Sequence, residues 1–112
     1  MLLTSTASMA SSATEQEIAH LLHYVANTSC LYDRNGKHHE GAKARSHIER
    51  KYRYFADQIE STEDFIRLAA SKSTVSGKPY RVICDDNTFD SEDWFTAELI
   101  RFRQQQTIEE NL

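Results

Sequence analysis

The chain has 112 residues, of which 39% are hydrophobic and 27% are charged, and 17 acidic against 13 basic side chains give a formal net charge of -4. This length suits a single domain with one hydrophobic core and is too short for two. The acidic balance argues against nucleic acid or an anionic membrane surface as a partner, and no run approaches the ~20 apolar residues that span a bilayer.

The N-terminal segment differs in composition from everything that follows it. Residues 1–13 carry no charge and are rich in small side chains. Ser11 and Ala13 fit the positions that precede a signal-peptidase site, although a basic n-region is missing. Two interpretations stay open, a remnant of a signal peptide and a disordered tail. The sequence predicts a single domain over residues 14–104, followed by a frayed polar tail over residues 105–112.

The domain is expected to begin with a helix and a hairpin. Thr14 and Glu17 have the spacing of a capping box, and the apolar residues that follow repeat with helical spacing to about Ala26. The Asn35-Gly36 dipeptide supplies the positive φ angles of a two-residue turn. The sequence around it therefore predicts a short β-hairpin.

Two further helices are expected after the hairpin. The longer begins after Gly41, and Ser61 with Asp64 has the spacing of a capped start for the shorter. The shorter helix is expected to turn Phe65, Leu68 and Ala69 inward. The longer helix has an apolar face of Ala44, Ile48, Tyr52, Phe55 and Ile59 and a basic, solvated surface of Lys43, Arg45, Arg50, Lys51 and Arg53.

A third strand and a last helix complete the domain. Gly77 and Pro79 break the helical pattern, and residues 80–84 then alternate like a strand with two distinct faces. Asp90 or Ser91 is expected to cap the final helix. The predicted class is a small single α+β domain in the order helix, β-hairpin, two helices, strand, helix, with a small antiparallel or mixed sheet packed on the helices.

The two cysteines, Cys30 and Cys84, lack the CxxC spacing and the neighbouring histidines of a structural zinc site. If the N-terminal segment is an export signal, the even number of cysteines favours one disulfide. The alternative is two buried thiols in a cytosolic domain. A bond between Cys30, at the start of the first predicted strand, and Cys84, at the end of the third, requires those strands to be neighbours.

The stretch SKSTVSGKPYRVIC, residues 71–84, contains the residue types of a phosphate loop and of a serine nucleophile. A phosphate loop needs glycine where Lys72 stands. A serine–lysine nucleophile needs serine three residues before Lys78, where Val75 stands. We therefore expect a connection between a helix and a strand, and the residues that shape its turn are Ser73, Ser76 and Gly77.

The five histidines do not have the spacing of a metal site. His20 and His23 lie one helical turn apart, whereas adjacent His38 and His39 point to opposite faces of a strand, and His47 stands alone. We expect surface histidines and predict no bound metal, no cofactor and no catalytic residue. The acidic run DDNTFDSED is expected to be an exposed capping and turn segment.

The chain resembles a known family in three segments, EIAHLLHYVANTSCLYDRNGKHHEGAKARSHIERKYRY, STEDFIRLAASKSTVSGKPYRVIC and WFTAELIRFR. They are similar to the YfeK-like family of small exported proteins of Gram-negative bacteria, domain of unknown function family 5329. The most specific motifs are RNG at residues 34–36, AxxH at residues 44–47 and SGKPY at residues 76–80. The candidate surface or motif residues are Arg34, Asn35, Gly36, His47, Ser73, Ser76, Gly77, Lys78, Pro79 and Tyr80.

The resemblance implies export to the periplasm and favours the signal-peptide interpretation of residues 1–13. No cysteine lies near the presumed cleavage site, so a soluble periplasmic protein is expected rather than a lipoprotein. The resemblance supplies no catalytic residue.

Three hypotheses of function follow. The first is a non-enzymatic binding or accessory module whose partner is another envelope protein. The second is an inhibitor or immunity protein against a cell-wall-degrading enzyme, because a small acidic domain suits a basic cleft. The third is a small hydrolase, which requires His47 or His39 to lie beside Ser73, Thr74 or Ser76 in a pocket. A flat, exposed surface of aromatic side chains would favour binding. The sequence does not determine the oligomeric state.

Overall fold

The computed structural model describes the backbone of residues 6–112 and the side chains of residues 13–112. Part of the predicted N-terminal tail, residues 1–5, lies outside the described residues. Helices and a small sheet alternate along the chain, which confirms the predicted α+β class. The elements are α1 Thr6–Ala26, β1 Leu31–Arg34, β2 Lys37–His39, α2 Gly41–Tyr54, a 3-10 turn Ala56–Gln58, α3 Thr62–Ala69, β3 Arg81–Cys84, β4 Asn87–Asp90 and α4 Ser91–Glu110.

The four strands form one antiparallel sheet in the order β2-β1-β3-β4. Hairpin β1–β2 turns at Asn35 and Gly36, whose φ angles are 55° and 86°, as the dipeptide predicted. The second hairpin, β3–β4, was not predicted. Its last strand belongs to the acidic run that was expected to be a turn segment. All four residues of β4 are exposed, so the strand has no alternation of apolar and polar side chains to reveal it.

The helices cover one face of the sheet and bury the core against it. Tyr32 on β1 and Val82 on β3 lie opposite each other on this face, and each is 1% exposed. The apolar stripe predicted on α1 is buried. The largest members of the core are Tyr32, Phe65, Phe95, Ile18, Leu21, Ile48 and Leu99.

Helix α1 begins at Thr6, so Thr14 lies within the helix and the predicted capping box is wrong. Glu17, its other member, instead joins three helices. Its carboxylate accepts two hydrogen bonds from Arg103 on α4, at 2.9 and 3.0 Å, and one from the Thr62 hydroxyl at the start of α3, at 2.5 Å. The hydrogen bonds from Arg103 lower the pKa of Glu17 despite its partial burial.

The ends of the other helices differ from the sequence predictions in places. Helix α2 stops at Tyr54, and a 3-10 turn carries Ile59 back to the core instead of one long helix. Helix α4 continues through the polar C-terminal sequence to Glu110. Ser61 caps α3 as predicted, because its hydroxyl accepts a 3.0 Å hydrogen bond from the Asp64 amide.

In α3 the predicted inward residues Phe65 and Ala69 are buried, but Leu68 is only partly so and Ile66 takes its place in the core. Asp90 occupies the N-cap position of α4 but makes no side-chain cap. Its carboxylate pairs with Arg81 across the β3–β4 ladder at 3.1 Å. Among the described residues, no helix is long and apolar enough to cross a membrane.

A buried hydrogen-bond network ties the sheet to two helix ends. Ser91 Oγ donates to the carbonyl of Ala70, and the Tyr32 hydroxyl lies 2.7 Å from Ser91 Oγ and 3.3 Å from the same carbonyl. Ser91 is 0% exposed, so each hydroxyl needs its partner inside the protein. Burial is also the main reason that the pKa of Tyr32 is raised.

Cys30 and Cys84 face each other at one end of the β1–β3 pairing. Leu31 lies opposite Ile83 in this antiparallel register, and the next position outward places the two cysteines side by side. Their sulfur atoms are 2.08 Å apart and their Cα atoms 4.6 Å apart, the distances of a disulfide. The strands are therefore neighbours, as the predicted bond requires.

We predict that reduction of the Cys30–Cys84 pair lowers the free energy of unfolding by about 2 to 5 kcal/mol, because the bond closes a long loop in the unfolded chain. Urea denaturation with and without reductant measures this loss. The double replacement Cys30→Ala with Cys84→Ala should unfold like the reduced protein and should be insensitive to reductant. Two thiols that label freely in denatured, unreduced protein from an oxidising compartment would contradict the bond.

We predict that Ser91→Ala lowers the free energy of unfolding by about 1 to 3 kcal/mol, because the buried carbonyl of Ala70 loses its short hydrogen bond. Tyr32→Phe is the matched control: it removes the other hydroxyl but leaves the bond from Ser91 to Ala70 in place. Urea denaturation of both variants measures the two losses of unfolding free energy, and the loss for Ser91→Ala should be the larger. A loss for Tyr32→Phe that equals or exceeds that of Ser91→Ala would contradict this assignment.

Candidate functional site

Residues from the three motifs behind the family resemblance meet at one place. Arg34 ends β1, His47 lies on α2 and Tyr80 directly precedes β3. The guanidinium of Arg34 donates to His47 Nδ1, and His47 Nε2 lies 3.1 Å from the Tyr80 hydroxyl. Lys51 of α2 completes this group, so the name polar cluster is used below for Arg34, His47, Lys51 and Tyr80.

Lys51 reaches the polar cluster from the next turn of α2. Its Nζ donates to the carbonyl of Lys72 at 2.6 Å and lies 3.4 Å from the Tyr80 hydroxyl. The same ammonium stands 5.1 Å from the centre of the Tyr80 ring, within the range of a cation–π contact. Lys51, predicted to lie on a solvated basic surface, is therefore held in place by the chain leading into β3.

The polar cluster keeps His47 uncharged. Burial, the Arg34 guanidinium and the Lys51 ammonium lower the pKa of His47 to about 4. Arginine has only donors, so Nδ1 of His47 must be the acceptor and the ring proton resides on Nε2, which donates to Tyr80. Burial and Arg34 also lower the pKa of Lys51, and burial raises that of Tyr80.

The serine-rich connection before β3 is held by its own hydrogen bonds. Gly77 takes a φ of 75° in a turn closed by its amide donating to the Ser73 carbonyl at 2.9 Å. The Ser73 hydroxyl accepts from the Ser76 amide at 3.1 Å. The Ser76 hydroxyl donates to Asn35 Oδ1 at 3.0 Å and accepts from the Lys78 amide at 3.2 Å. Both hydroxyls thus have structural partners.

The candidate residues named from sequence fall into three groups. Arg34, His47 and Tyr80 belong to the polar cluster, and Ser73, Ser76 and Gly77 shape the connection. The remaining four lie at a shallow depression of about 340 Å³ beside the β1–β2 turn. Its lining residues are Asp33, Asn35, Gly36, Lys78, Pro79 and Arg81.

The histidines outside the polar cluster do not gather around one point. His20, expected at the surface, is only 23% exposed; its Nε2 lies 2.6 Å from a Glu98 carboxylate oxygen and its ring stacks on Phe102 at 4.0 Å. His38 lies 4.0 Å from the Asp33 carboxylate. Within the part of the chain that the structure describes, no group of three or more His, Cys, Asp or Glu residues could hold a metal ion.

A second surface feature was not predicted from the sequence. Tyr24 of α1, Phe89 of β4 and Trp94 of α4 line a groove of about 520 Å³, with Ala97 at its floor. The Tyr24 and Trp94 rings lie 4.5 Å apart, and Phe89 is 42% exposed. We call this surface the aromatic groove. The signal in the sequence was Phe89 within an acidic run, but without strand β4 nothing placed that residue beside Trp94.

One wall of the aromatic groove is a buried carboxylate. Glu98 is 6% exposed and accepts two hydrogen bonds from Arg101, at 2.9 and 2.8 Å. The pKa of Glu98 is lowered chiefly by these bonds and further by its contact with His20. The exposed Asp93 adds a second acidic group to the lining. The groove therefore joins aromatic side chains to a charged rim.

We predict that His47 makes stability depend on pH. Its pKa is 6.5 in the unfolded chain and about 4 in the folded protein, so folding favours the neutral ring. The stabilisation is complete above pH 6.5 and is lost as the pH falls toward 4. His47→Gln should flatten the fall in the free energy of unfolding over this window. Urea denaturation across this range tests it, with His23→Gln as the exposed control. An unchanged slope in His47→Gln would contradict the assignment.

Of the comparisons with known proteins, one family model matches the chain. Searches of curated proteins and of solved structures found no match. Residues 12–103 match the family described as "Family of unknown function (DUF5329)", and this range contains the polar cluster and the aromatic groove. Because the match covers most of the 112 residues, the chain belongs to this family of unknown function.

Proposed function

We propose that the protein is a non-enzymatic binding module of the Gram-negative cell envelope, exported to the periplasm like the YfeK-like proteins that it resembles. Its binding surface is the aromatic groove, and its partner is another envelope protein. The observation that carries this proposal is the exposure of Phe89 beside Tyr24 and Trp94 in a concave surface. An exposed aromatic surface is the feature that favours binding over catalysis.

The chemistry of the aromatic groove suits a protein partner. Aromatic side chains are enriched in protein interfaces because they bury a large area while losing few rotatable bonds. Trp94 packs against the core and the Tyr24 ring contacts Trp94, so little ordering is needed on binding. Arg101, whose exposed guanidinium is held by the buried Glu98, offers polar contacts that can fix the orientation of the partner.

The arrangement of His47 and the serines argues against the hydrolase hypothesis. Both ring nitrogens of His47 are engaged, with Arg34 and with Tyr80. A general base needs a free acceptor nitrogen within reach of the nucleophile. Ser73 and Ser76 use their hydroxyls within the connection and toward Asn35. His47, Ser73 and Ser76 therefore give the third hypothesis no support.

Export is supported by the cysteine pair. Cys30 and Cys84 lie at disulfide distance, and disulfides persist mainly in oxidising compartments. We propose that residues 1–13 belong to the export signal and that the mature domain begins near Thr14. N-terminal sequencing of the protein recovered from the periplasm identifies the cleavage point.

An inhibitor or immunity protein is the second candidate, favoured by the charge near the aromatic groove. Several exposed acidic residues cluster on the β3–β4 turn and the first turn of α4, beside Phe89 and Trp94. They are Asp85, Asp86, Asp90, Glu92 and Asp93. Such a surface is complementary to the basic cleft of an enzyme, and that complementarity raises the association rate.

We predict that Ala97→Arg blocks partner binding, because Ala97 is exposed at the floor of the aromatic groove and a long charged side chain fills it. Immobilised wild-type protein and the variant are each exposed to periplasmic extract. A partner retained by wild type should be lost by Ala97→Arg. The purified partner should then bind wild type at least about tenfold more tightly than it binds Ala97→Arg.

Thr96→Arg is the matched control, because Thr96 is an exposed neighbour on the same helix and does not line the groove. It should retain the partner. If the captured protein is a cell-wall-degrading enzyme whose activity falls on binding, the result supports the inhibitor function over the accessory function. Equal retention of every captured protein by wild type and Ala97→Arg would refute the role of the groove.

A further inference from the structure

The polar cluster concentrates positive charge in an acidic protein. Arg34 and Lys51 are only partly exposed, and the charges that depress the pKa of His47 are Arg34, Lys51 and Arg50. No acidic group enters the causes of the pKa changes at His47, Lys51 or Tyr80. The formal charge of the whole chain is nevertheless -4. This surface therefore has a local charge opposite to that of the molecule.

Within the described side chains, neither cation of the polar cluster lies within 4.0 Å of a carboxylate. Ion pairs with carboxylates within 4.0 Å are made by Arg45, Arg67, Arg81, Arg101 and Arg103. Among the side chains of residues 13–112, Arg34 and Lys51 make no such pair. Half-buried cations without a counter-charge are costly, so a bound anion would stabilise this arrangement.

The hydrogen bonds of the polar cluster leave donors and no acceptor. Arg34 donates to His47, His47 donates to Tyr80, and Lys51 also lies within donating distance of Tyr80. Arginine and lysine have no acceptor atoms, and most of the guanidinium N–H groups are not used by His47. A ligand here must therefore supply acceptors.

We propose that Arg34 and Lys51 form a binding site for a phosphate group. The fork of an arginine matches two oxygens of a phosphate, and a lysine adds a point charge. A phosphate group with a charge of about -2 balances the two cations, while neutral His47 accepts a hydrogen bond from the guanidinium and holds it in place. A single carboxylate would leave one of the two charges uncompensated. The site is separate from the aromatic groove and goes beyond the proposed function.

Titration of isotope-labelled protein with inorganic phosphate, followed by amide chemical shifts at constant ionic strength, tests the site. We expect saturable shifts at Arg34, His47 and Lys51. Lys51→Gln should weaken binding by about tenfold or more, because a charge-assisted hydrogen bond is lost, whereas Lys51→Arg should largely retain it. Arg53→Gln, with the same charge change at an exposed position of α2, should change the Kd by less than about twofold.

Further ligands decide the source of the phosphate. Glycerol 3-phosphate that binds as tightly as inorganic phosphate would identify a phosphorylated molecule as the ligand, and selectivity for inorganic phosphate would identify the free ion. Citrate that binds equally well, the absence of saturable shifts, or equal weakening by Lys51→Gln and Arg53→Gln would overturn the proposal. Ala97→Arg should bind phosphate normally, so failure of the groove and failure of this site are distinguishable.

Discussion

The antiparallel pairing of β1 with β3 is the contact on which the rest of the molecule depends. It joins two strands that are separated along the chain by β2, α2 and α3, and it places Tyr32 opposite Val82 on the buried face. A shift of this register by one residue would turn one of these two side chains toward solvent. The same register brings Cys30 beside Cys84 at one end and carries Arg34 toward Tyr80 at the other.

The sheet order separates the two surface features. The polar cluster uses β1, α2 and the approach to β3, whereas the aromatic groove uses the outer strand β4 with α1 and α4. The groove side is rich in exposed carboxylates and the cluster side in unpaired cations. A small domain can therefore present two surfaces of opposite charge, and a ligand at one need not interfere with a partner at the other.

Much of the fold follows from local sequence signals, and the misses have physical causes. The Asn35-Gly36 turn and the Ser61 cap were predicted because each rests on backbone geometry that few residues provide. Strand β4 was missed because an exposed edge strand is defined by its ladder to β3 and not by apolar alternation. Thr14 and Glu17 suggested a cap, but Glu17 is used by Arg103, which is remote in sequence.

The sequence alone determined the class, the helical faces, the first hairpin and the motifs that carry Arg34, His47 and Tyr80, because each depends on neighbours along the chain. Only the tertiary structure decided that these three residues meet, that Lys51 joins them, and that Phe89 lies beside Trp94. These contacts join residues far apart in the chain, and they form only when strand pairing and helix packing bring the segments together. Local periodicity contains no information about such distances, which is why both surface features became visible in three dimensions.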